Sequence, residues 1–209
     1  MFEGKYLNGK INGEGKEYNH KILSLQYKGE YLNGIRHGKG KKYDNQKKLL
    51  FEGKFFKGKR WTGKVYDTLT NTIYELKDGK GFIREYYDEN IESYENIIYE
   101  GEYLNGERHG KAKIYKKNQS YDKECFLMFE GEFNNGKIWN GKRYDSEKNL
   151  IYELKDGKGN VEEVDDDGIT YVGQYLNGEK NGKGKEYDYD DDLQYEGEYL
   201  NGKRNGKGK

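Results

Sequence analysis

The stretch that decides the fold is YKGEYLNGIRHGKGK, residues 27–41, because close copies of it stand at 99–113 and 195–209. Its glycines at 29, 34, 38 and 40 follow one another at intervals of five, four and two residues, and the same spacing starts again at residues 4, 173 and 197. In the copy at 99–113, Ala112 takes the fourth place. Self-similarity at a fixed period is typical of repeat architectures. The sequence therefore predicts an array of similar units.

Nine such units begin near residues 2, 27, 51, 74, 99, 129, 152, 171 and 195, and we expect residues 1–209 to form a single array. The units that start at 51 and 129 widen the second glycine interval to five residues and insert Trp61 or Trp139. A short unit, YELKDGKG, follows each of them at 74–81 and 152–159.

Each unit reads as a β-hairpin. Residues 27–32 alternate with period two, which places Tyr27, Gly29 and Tyr31 on one face of a strand. Asn33-Gly34 then tolerates the positive φ of a tight turn, and Asp78-Gly79 of the short unit is a stronger hairpin signal still. Glycine inside a strand weakens it unless another group approaches the backbone closely. We expect that group to be a Tyr or Phe ring.

The return strand at 38–43 alternates too, with Gly38 and Gly40 on one face and lysines at 39 and 41 on the other. We expect Glu30 to pair with Lys39 and Lys41, a kind of cross-strand contact that contributes about 0.2–1 kcal/mol. One hairpin is marginal in water, but stacked hairpins bury their rings and pair their edges. The fold class predicted is therefore all-β: about eighteen strands in an elongated, single-sheet, rod-like solenoid.

Composition excludes several classes of protein. The chain has 38 basic and 38 acidic residues, so its formal net charge is zero, and it has 22 Tyr, 30 Gly and no Pro. No stretch approaches the roughly 20 apolar residues of a membrane-spanning helix, and the first ten residues lack the apolar core of a signal peptide. A single cysteine, Cys125, suits a reducing compartment. The sequence predicts a cytoplasmic protein that does not bind nucleic acid.

No catalytic or metal-binding pattern emerges. His37 and His109 occupy a place that is Asn in sister units, which indicates a turn position of left-handed geometry. Residues 58–64 match part of a phosphate-binding loop, but Val65 follows where Ser or Thr is needed. The acidic runs at 165–167 and 188–192 lack the closing Glu of a calcium loop. We therefore expect no enzyme activity, no cofactor and no metal.

The repeated phrase YEGEYLNGKRNGKGK resembles the MORN repeat (membrane occupation and recognition nexus) over essentially the whole chain. The resemblance implies an elongated, grooved array of hairpins. It also implies roles in protein–protein contacts, self-association and scaffolding at membranes or the cytoskeleton, and phospholipid binding is attributed to the family as well. The Trp variants and the short units depart from the common form of the repeat.

The aromatic rows predict a groove, because exposed aromatic area of that extent marks a binding surface. The expected occupant is a protein partner, either a helix or an extended peptide, or a second copy of the chain in a homodimer or an end-to-end contact. The groove residues expected are Tyr31, Trp61, Tyr103, Phe133, Trp139, Tyr175 and Tyr199.

Two alternatives stay open. The first is a module that docks on phosphoinositides or anionic phospholipid through a basic stripe. Glutamates recur beside that stripe and weaken its field. This basic stripe would consist of Lys16, Lys39, Lys41, Lys111, Lys113, Lys183 and Lys185. The second alternative is a targeting or regulatory arm of a larger enzyme.

Overall fold

The computed structural model describes residues 1–68, 70–87, 97–117, 125–164 and 168–209. Within these ranges the only regular structure is β-strand, paired antiparallel wherever the register is defined, and there is no helix. The all-β class and the hairpin units are confirmed. The expected single sheet is wrong, because the strands form three sheets of seven, six and five strands.

The first sheet has its strands in chain order. They are β1 (Phe2–Leu7), β2 (Lys10–Tyr18), β3 (Leu25–Leu32), β4 (Ile35–Tyr43), β5 (Leu49–Phe56), β6 (Lys59–Tyr66) and β7 (Ile73–Leu76). The second sheet also keeps chain order. Its strands are β8 (Gly81–Tyr87), β9 (Ile97–Leu104), β10 (Glu107–Lys117), β11 (Cys125–Asn134), β12 (Lys137–Tyr144) and β13 (Leu150–Leu154).

The third sheet completes the fold. It consists of β14 (Gly159–Val164), β15 (Thr170–Leu176), β16 (Glu179–Tyr187), β17 (Leu193–Leu200) and β18 (Lys203–Gly208). The chain divides into two compact units. The first unit is Met1–Arg108 with Tyr115–Cys125, and the second is His109–Ile114 with Phe126–Lys209. The single array and the elongated shape stay predictions.

The sheets end at the two short units. Only one bridge, between Lys77 and Lys80, joins β7 to β8, and only one, between Lys155 and Lys158, joins β13 to β14. Beyond its bridge, β7 pairs with β6, whereas β8 pairs with β9. The strand before each of these two-residue turns has only four or five residues, so it offers few pairs to hold a ladder, and the sheet ends there.

The hairpin turns are as predicted. Asn33 and Gly34 have φ of 53° and 86°, and Asp78 and Gly79 have 52° and 75°. Two successive positive φ values are the signature of the type I′ turn, whose twist matches that of the flanking strands. The turn glycine also couples one hairpin to the hairpin before it, since the Gly34 N–H donates to the Ile11 carbonyl at 2.8 Å.

Paired glycines make room for a ring, as predicted. Gly29 and Gly40 lie opposite each other on β3 and β4. A Cβ on Gly29 would stand 2.5 Å from the Gly40 Cα and 2.5 Å from the Tyr27 hydroxyl, and a Cβ on Gly40 would stand 2.7 Å from Cζ of the same ring. Tyr27 has no exposed surface at all. The core of the repeat is therefore a tyrosine ring that lies on bare backbone.

The rings also contact one another along the first sheet. Tyr27 packs edge-on against Tyr31 and Phe55, with centroids 5.3 and 5.1 Å apart, and Phe51 packs the same way against Phe55 at 5.1 Å. Edge-to-face pairs at such distances add about 0.5–1.5 kcal/mol beyond area burial. The aromatic row therefore holds neighbouring hairpins together.

The third glycine of the repeat forms a bulge. Gly29 pairs with Gly40 but Tyr31 pairs with Arg36, so that two extra residues of β4 face Glu30. Gly38 carries the positive φ, 66°, that this bulge needs, and the place of its Cβ is filled by the Glu30 side chain. An L-residue with a side chain would be strained there.

The prediction that His37 and His109 adopt left-handed geometry is wrong. Both lie inside strands, β4 and β10, and neither is among the described residues with positive φ, because the following glycine takes that conformation. The His37 ring packs 5.7 Å from that of Phe56. His109 accepts a hydrogen bond at Nδ1 from the Asn135 N–H at 3.4 Å.

Candidate functional site

Most of the rings expected to line a partner groove are core residues. Tyr31, Tyr103, Phe133 and Tyr199 expose 3–6% of their surface, and Tyr175, Trp61 and Trp139 are half-buried. The expected exposure of the first four is corrected, because each lies in the row of packed rings on the glycine face. Contact between these seven residues and a partner stays a prediction.

The two tryptophans stand at bulges beside the sheet breaks. Lys54 pairs with Thr62 but Phe55 pairs with Arg60, which leaves Trp61 as the extra residue. Its carbonyl accepts the Gly79 N–H at 2.6 Å, and its ring occupies the space beside Gly79 where a Cβ would stand. Trp139 makes the same two contacts with Gly157. Each tryptophan therefore packs on the turn of the short unit that follows.

A half-buried polar cluster links consecutive hairpins, and sequence reasoning missed it. Glu17 on β2 accepts hydrogen bonds from the Tyr31 hydroxyl and the Arg36 guanidinium of the next hairpin. Burial alone would raise the pKa of Glu17, but these two donors outweigh it and hold the pKa below its usual value. Burial and the bond to Glu17 raise the pKa of Tyr31. The Arg36 guanidinium also lies 4.5 Å above the Tyr27 ring.

Similar clusters occur in both of the compact units into which the chain divides. Glu85 pairs with Arg60 at 2.5 Å and accepts the Tyr103 hydroxyl at 2.5 Å. Burial would raise the pKa of this carboxyl, yet the nearby arginines and Tyr103 lower it on balance. In the third sheet, Glu186 pairs with Arg204. The available sequence signal was the basic residue two places after the turn glycine, which recurs at Arg36, Arg60, Arg108, Lys180 and Arg204.

The opposite face of the first sheet holds a concave trough of about 780 Å³. Five glycines stand side by side on β1 to β5 and form its floor, because their missing side chains would point towards the aromatic face. The floor is therefore backbone alone. Its members are Gly4, Gly15, Gly29, Gly40 and Gly53.

The walls of this first trough are charged and carry more lysines than glutamates. The walls are formed by the residues that precede and follow the floor glycines. Their side chains project from the trough side of the sheet, because neighbours in a strand face opposite sides. Tyr43 adds an aromatic edge. The charged members are Lys5, Lys16, Lys28, Lys39, Lys41, Lys54, Glu3, Glu14 and Glu52.

Two of the wall lysines are ion-paired. Lys16 contacts Glu3 at 3.2 Å and Lys41 contacts Glu52 at 2.8 Å, and each bond raises the pKa of its lysine. The predicted pair of Glu30 with Lys39 or Lys41 does not form among the described residues. The bulge shifts the register, so that Glu30 lies against Gly38 and Lys41 faces Glu52 of the next hairpin.

A smaller trough, about 420 Å³, lies on the corresponding face of the third sheet. Lys183 and Lys185 line it together with Lys207, Glu196 and Glu198, above a floor of Gly184 and Gly197. The seven lysines of the expected basic stripe thus have different settings. Lys16, Lys39 and Lys41 line the first trough, Lys183 and Lys185 line this second trough, and Lys111 and Lys113 are exposed on β10.

Other candidate sites have plain structural roles. Asp188 closes a turn, since its Oδ1 accepts the N–H groups of Asp190 and Asp192 at 3.0 and 2.9 Å. Asp165–Asp167 lie outside the described residues. Residues 58–64 belong to the turn and strand of the third hairpin, and Cys125 is exposed at the start of β11. The described part of the chain contains no cluster of three metal-ligating side chains.

The repeat geometry agrees with a family comparison. The model of the MORN repeat matches residues 2–19, 27–46, 99–121, 129–139, 171–192 and 195–209, together just over half of the chain. The chain belongs to the MORN repeat family. The Trp unit at 51 and both short units lie outside the matches, although the Trp unit folds as a hairpin and each short unit forms a two-residue turn closed by one bridge.

Repeats of this family are generally non-enzymatic, and their presence suggests a module for protein interaction or membrane binding. No curated protein matches this MORN repeat chain significantly. Among the described residues, no helix is long and apolar enough to span a membrane.

Proposed function

We propose that this MORN repeat protein is a non-enzymatic scaffold that binds a protein partner in the first trough. The observation that carries the proposal is a continuous concave surface across five strands, floored by glycine backbone and walled by charged side chains. Its volume of about 780 Å³ lies within the range of ligand-binding clefts, roughly 300–1,000 Å³.

The charge pattern supports a polypeptide over a membrane surface. Glu3, Glu14 and Glu52 stand among the wall lysines, so the sign of the field changes within a few ångströms. A membrane surface attracts a uniformly basic patch, at about 1 kcal/mol per basic residue, and each interspersed glutamate cancels part of that attraction. A polypeptide can place cationic, anionic and apolar side chains against such a mixed wall.

Site-specific photo-crosslinking tests the proposal. A benzoylphenylalanine at Tyr43, on the trough wall, should form adducts with protein when cells are irradiated. The matched control is the same residue at Tyr189, which is 85% exposed and outside the trough. Equal protein adducts at both positions, or lipid adducts at Tyr43, would contradict the proposal.

The membrane-docking alternative is supported by the lysines of both troughs, Lys39 and Lys41 in the first and Lys183 and Lys185 in the second. Sedimentation with neutral vesicles and with vesicles that contain phosphatidylserine separates the two functions. A protein scaffold stays in the supernatant in both cases, whereas a docking module sediments with the anionic vesicles.

A second, independent experiment tests whether the half-buried tryptophans contact the partner. Replacement of Trp61 and Trp139 by Ala removes the rings predicted to contact a partner. If they do so, capture of the partner identified by crosslinking is lost while the far-UV spectrum stays β-like. Unchanged capture assigns both rings to the packing on Gly79 and Gly157 alone.

A further inference from the structure

One wall residue of the first trough departs from the pattern of the repeat. In seven of the nine units the residue before the first glycine position is Glu, and in the unit at 171 it is Val172. The unit at 27 has Lys28 instead. The seven glutamates are Glu3, Glu52, Glu75, Glu100, Glu130, Glu153 and Glu196.

This single exchange changes a whole row of cross-strand pairs. In the first sheet, Lys28 faces Lys16 on one side and Lys41 on the other. Elsewhere in the row every pair joins Glu to Lys, as between Lys41 and Glu52. With Glu at position 28 the charges would alternate from β1 to β7. The row in order is Glu3, Lys16, Lys28, Lys41, Glu52, Lys64 and Glu75.

The lysine row, defined as Lys16, Lys28 and Lys41, is unfavourable in the free protein. Like charges directly opposite on neighbouring strands destabilise a sheet. Lys16 and Lys41 each have a glutamate on their far side. Lys28 is exposed and takes part in no ion pair that the described residues form. An anionic group above Lys28 would relieve the repulsion on both sides.

We propose that the lysine row binds an acidic segment of extended polypeptide that lies along the first trough. This proposal rests on the proposed function and names the chemistry of its partner. Five strands about 4.8 Å apart give a floor on the order of 20 Å long, which accommodates about six residues of extended chain at 3.3–3.6 Å each. The opposite wall adds Lys39 and Lys54, which also face each other directly.

The glycine floor favours a chain over a compact anion. No side chain blocks the trough between its two walls, so a backbone can lie on the floor while carboxylates reach the lysines on either side. A single phosphate would contact only part of this length. Charge complementarity along a row fits a series of carboxylates.

Fluorescence anisotropy with a fluorescein-labelled glutamate octapeptide tests the proposal on the full chain, with the glutamine octapeptide as the neutral probe. Lys28→Glu restores the residue of the sister units. It should weaken glutamate-octapeptide binding at least tenfold and at the same time raise the Tm by about 2 °C. Lys80→Glu, an exposed site outside the trough with the same change in charge, should leave affinity and Tm unchanged.

Several results would overturn the proposal. They are no binding by the native chain, equal binding of the two octapeptides, an equal loss in both variants, and a Tm that does not rise in Lys28→Glu. Stronger competition from phosphatidylserine vesicles than from unlabelled glutamate octapeptide would assign the lysine row to a membrane instead. If crosslinks at Tyr43 capture protein while the octapeptide does not bind, the acidic partner is wrong and the scaffold stands.

Discussion

The first and third sheets each carry a row of charged residues beside a floor of glycines, but the order of the charges differs between the two rows. In the first sheet three lysines stand side by side between two glutamates. In the third sheet the corresponding row runs Glu162, Val172, Lys185 and Glu196, with no two like charges in contact. The aromatic face is similar in both. The difference teaches that the rings maintain the fold while the opposite face is free to specialise.

The largest effect is expected from the buried carboxylates. Glu85→Ala leaves Arg60, whose side chain is 16% exposed, without its carboxylate, and breaking a buried pair from one side costs about 3–5 kcal/mol. Glu186→Ala in the second compact unit should cost less, about 2 kcal/mol, because Arg204 is 54% exposed and returns to water, and only the more distant Lys180, 3.6 Å away and 19% exposed, stays near the site without this carboxylate. Urea unfolding measures both. Equal losses would show that the two units depend on this cluster to the same degree.

Glycine replacements test what limits the packing of the glycine floor in the first sheet. Gly29→Ala should destabilise the chain by about 3 kcal/mol, since the new Cβ meets the Gly40 backbone at 2.5 Å and backbone cannot move aside cheaply. Gly40→Ala should cost about 1 kcal/mol because its Cβ meets the Tyr27 ring, and Ala112 already occupies this place in a sister unit. The reverse order of losses in thermal melts would mean that the ring and not the backbone limits the floor.

Alkaline unfolding tests whether the core rings are equivalent in the two units. Burial raises the pKa of Tyr27 and of Tyr171 to about 12. An unfolded tyrosine titrates near 10, so the stability that each buried hydroxyl contributes is complete below pH 10 and is lost as the pH rises towards 12. The loss should reach about 2 kcal/mol per ring at pH 12.

The control for this titration is Tyr27→Phe, the residue of the sister units at Phe51 and Phe129. It should remove part of the alkaline loss while the neutral-pH stability changes little. An unchanged alkaline transition in the variant would rule out Tyr27 as a source of the pH dependence.

The smallest change in stability is expected from building a lysine row where none exists. Val172→Lys puts a lysine opposite Lys185 and should destabilise the third sheet by less than about 1 kcal/mol. The second trough should then gain measurable affinity for the glutamate octapeptide in anisotropy titrations. Val172→Gln is the neutral control. A gain of affinity in both variants would show that apolar Val172, and not charge order, excluded the probe.

Much of the hairpin could be predicted from the sequence. The Asn33-Gly34 turn, the alternation of residues 27–32 and the ring that lies on the strand glycines are all encoded within fifteen residues. Local spacing is enough for such features, because turn type and strand alternation are properties of short segments. The sister units at 99 and 195 repeat the same spacing, which made the prediction secure before any packing was considered.

The binding face could not be predicted in the same way. Exposure of Tyr31 and Tyr103 was expected from their chemistry, but burial depends on rings and carboxylates contributed by the preceding hairpin, such as Glu17 and Glu85. The prediction of an ion pair between Glu30 and Lys39 or Lys41 was wrong for a related reason. A bulge of two residues shifts Lys41 out of its reach and opposite Lys28.

The sequence by itself determined the nine units, their two-residue turns and the glycine positions on which the rings lie, because each of these is encoded within one hairpin. Only the tertiary structure decided where the sheets end, which face is buried, and that Lys28 stands between two other lysines. The physical reason is that strand register between hairpins depends on bulges and on a partner strand that belongs to the neighbouring hairpin. Charge pairs follow that register and not the local pattern.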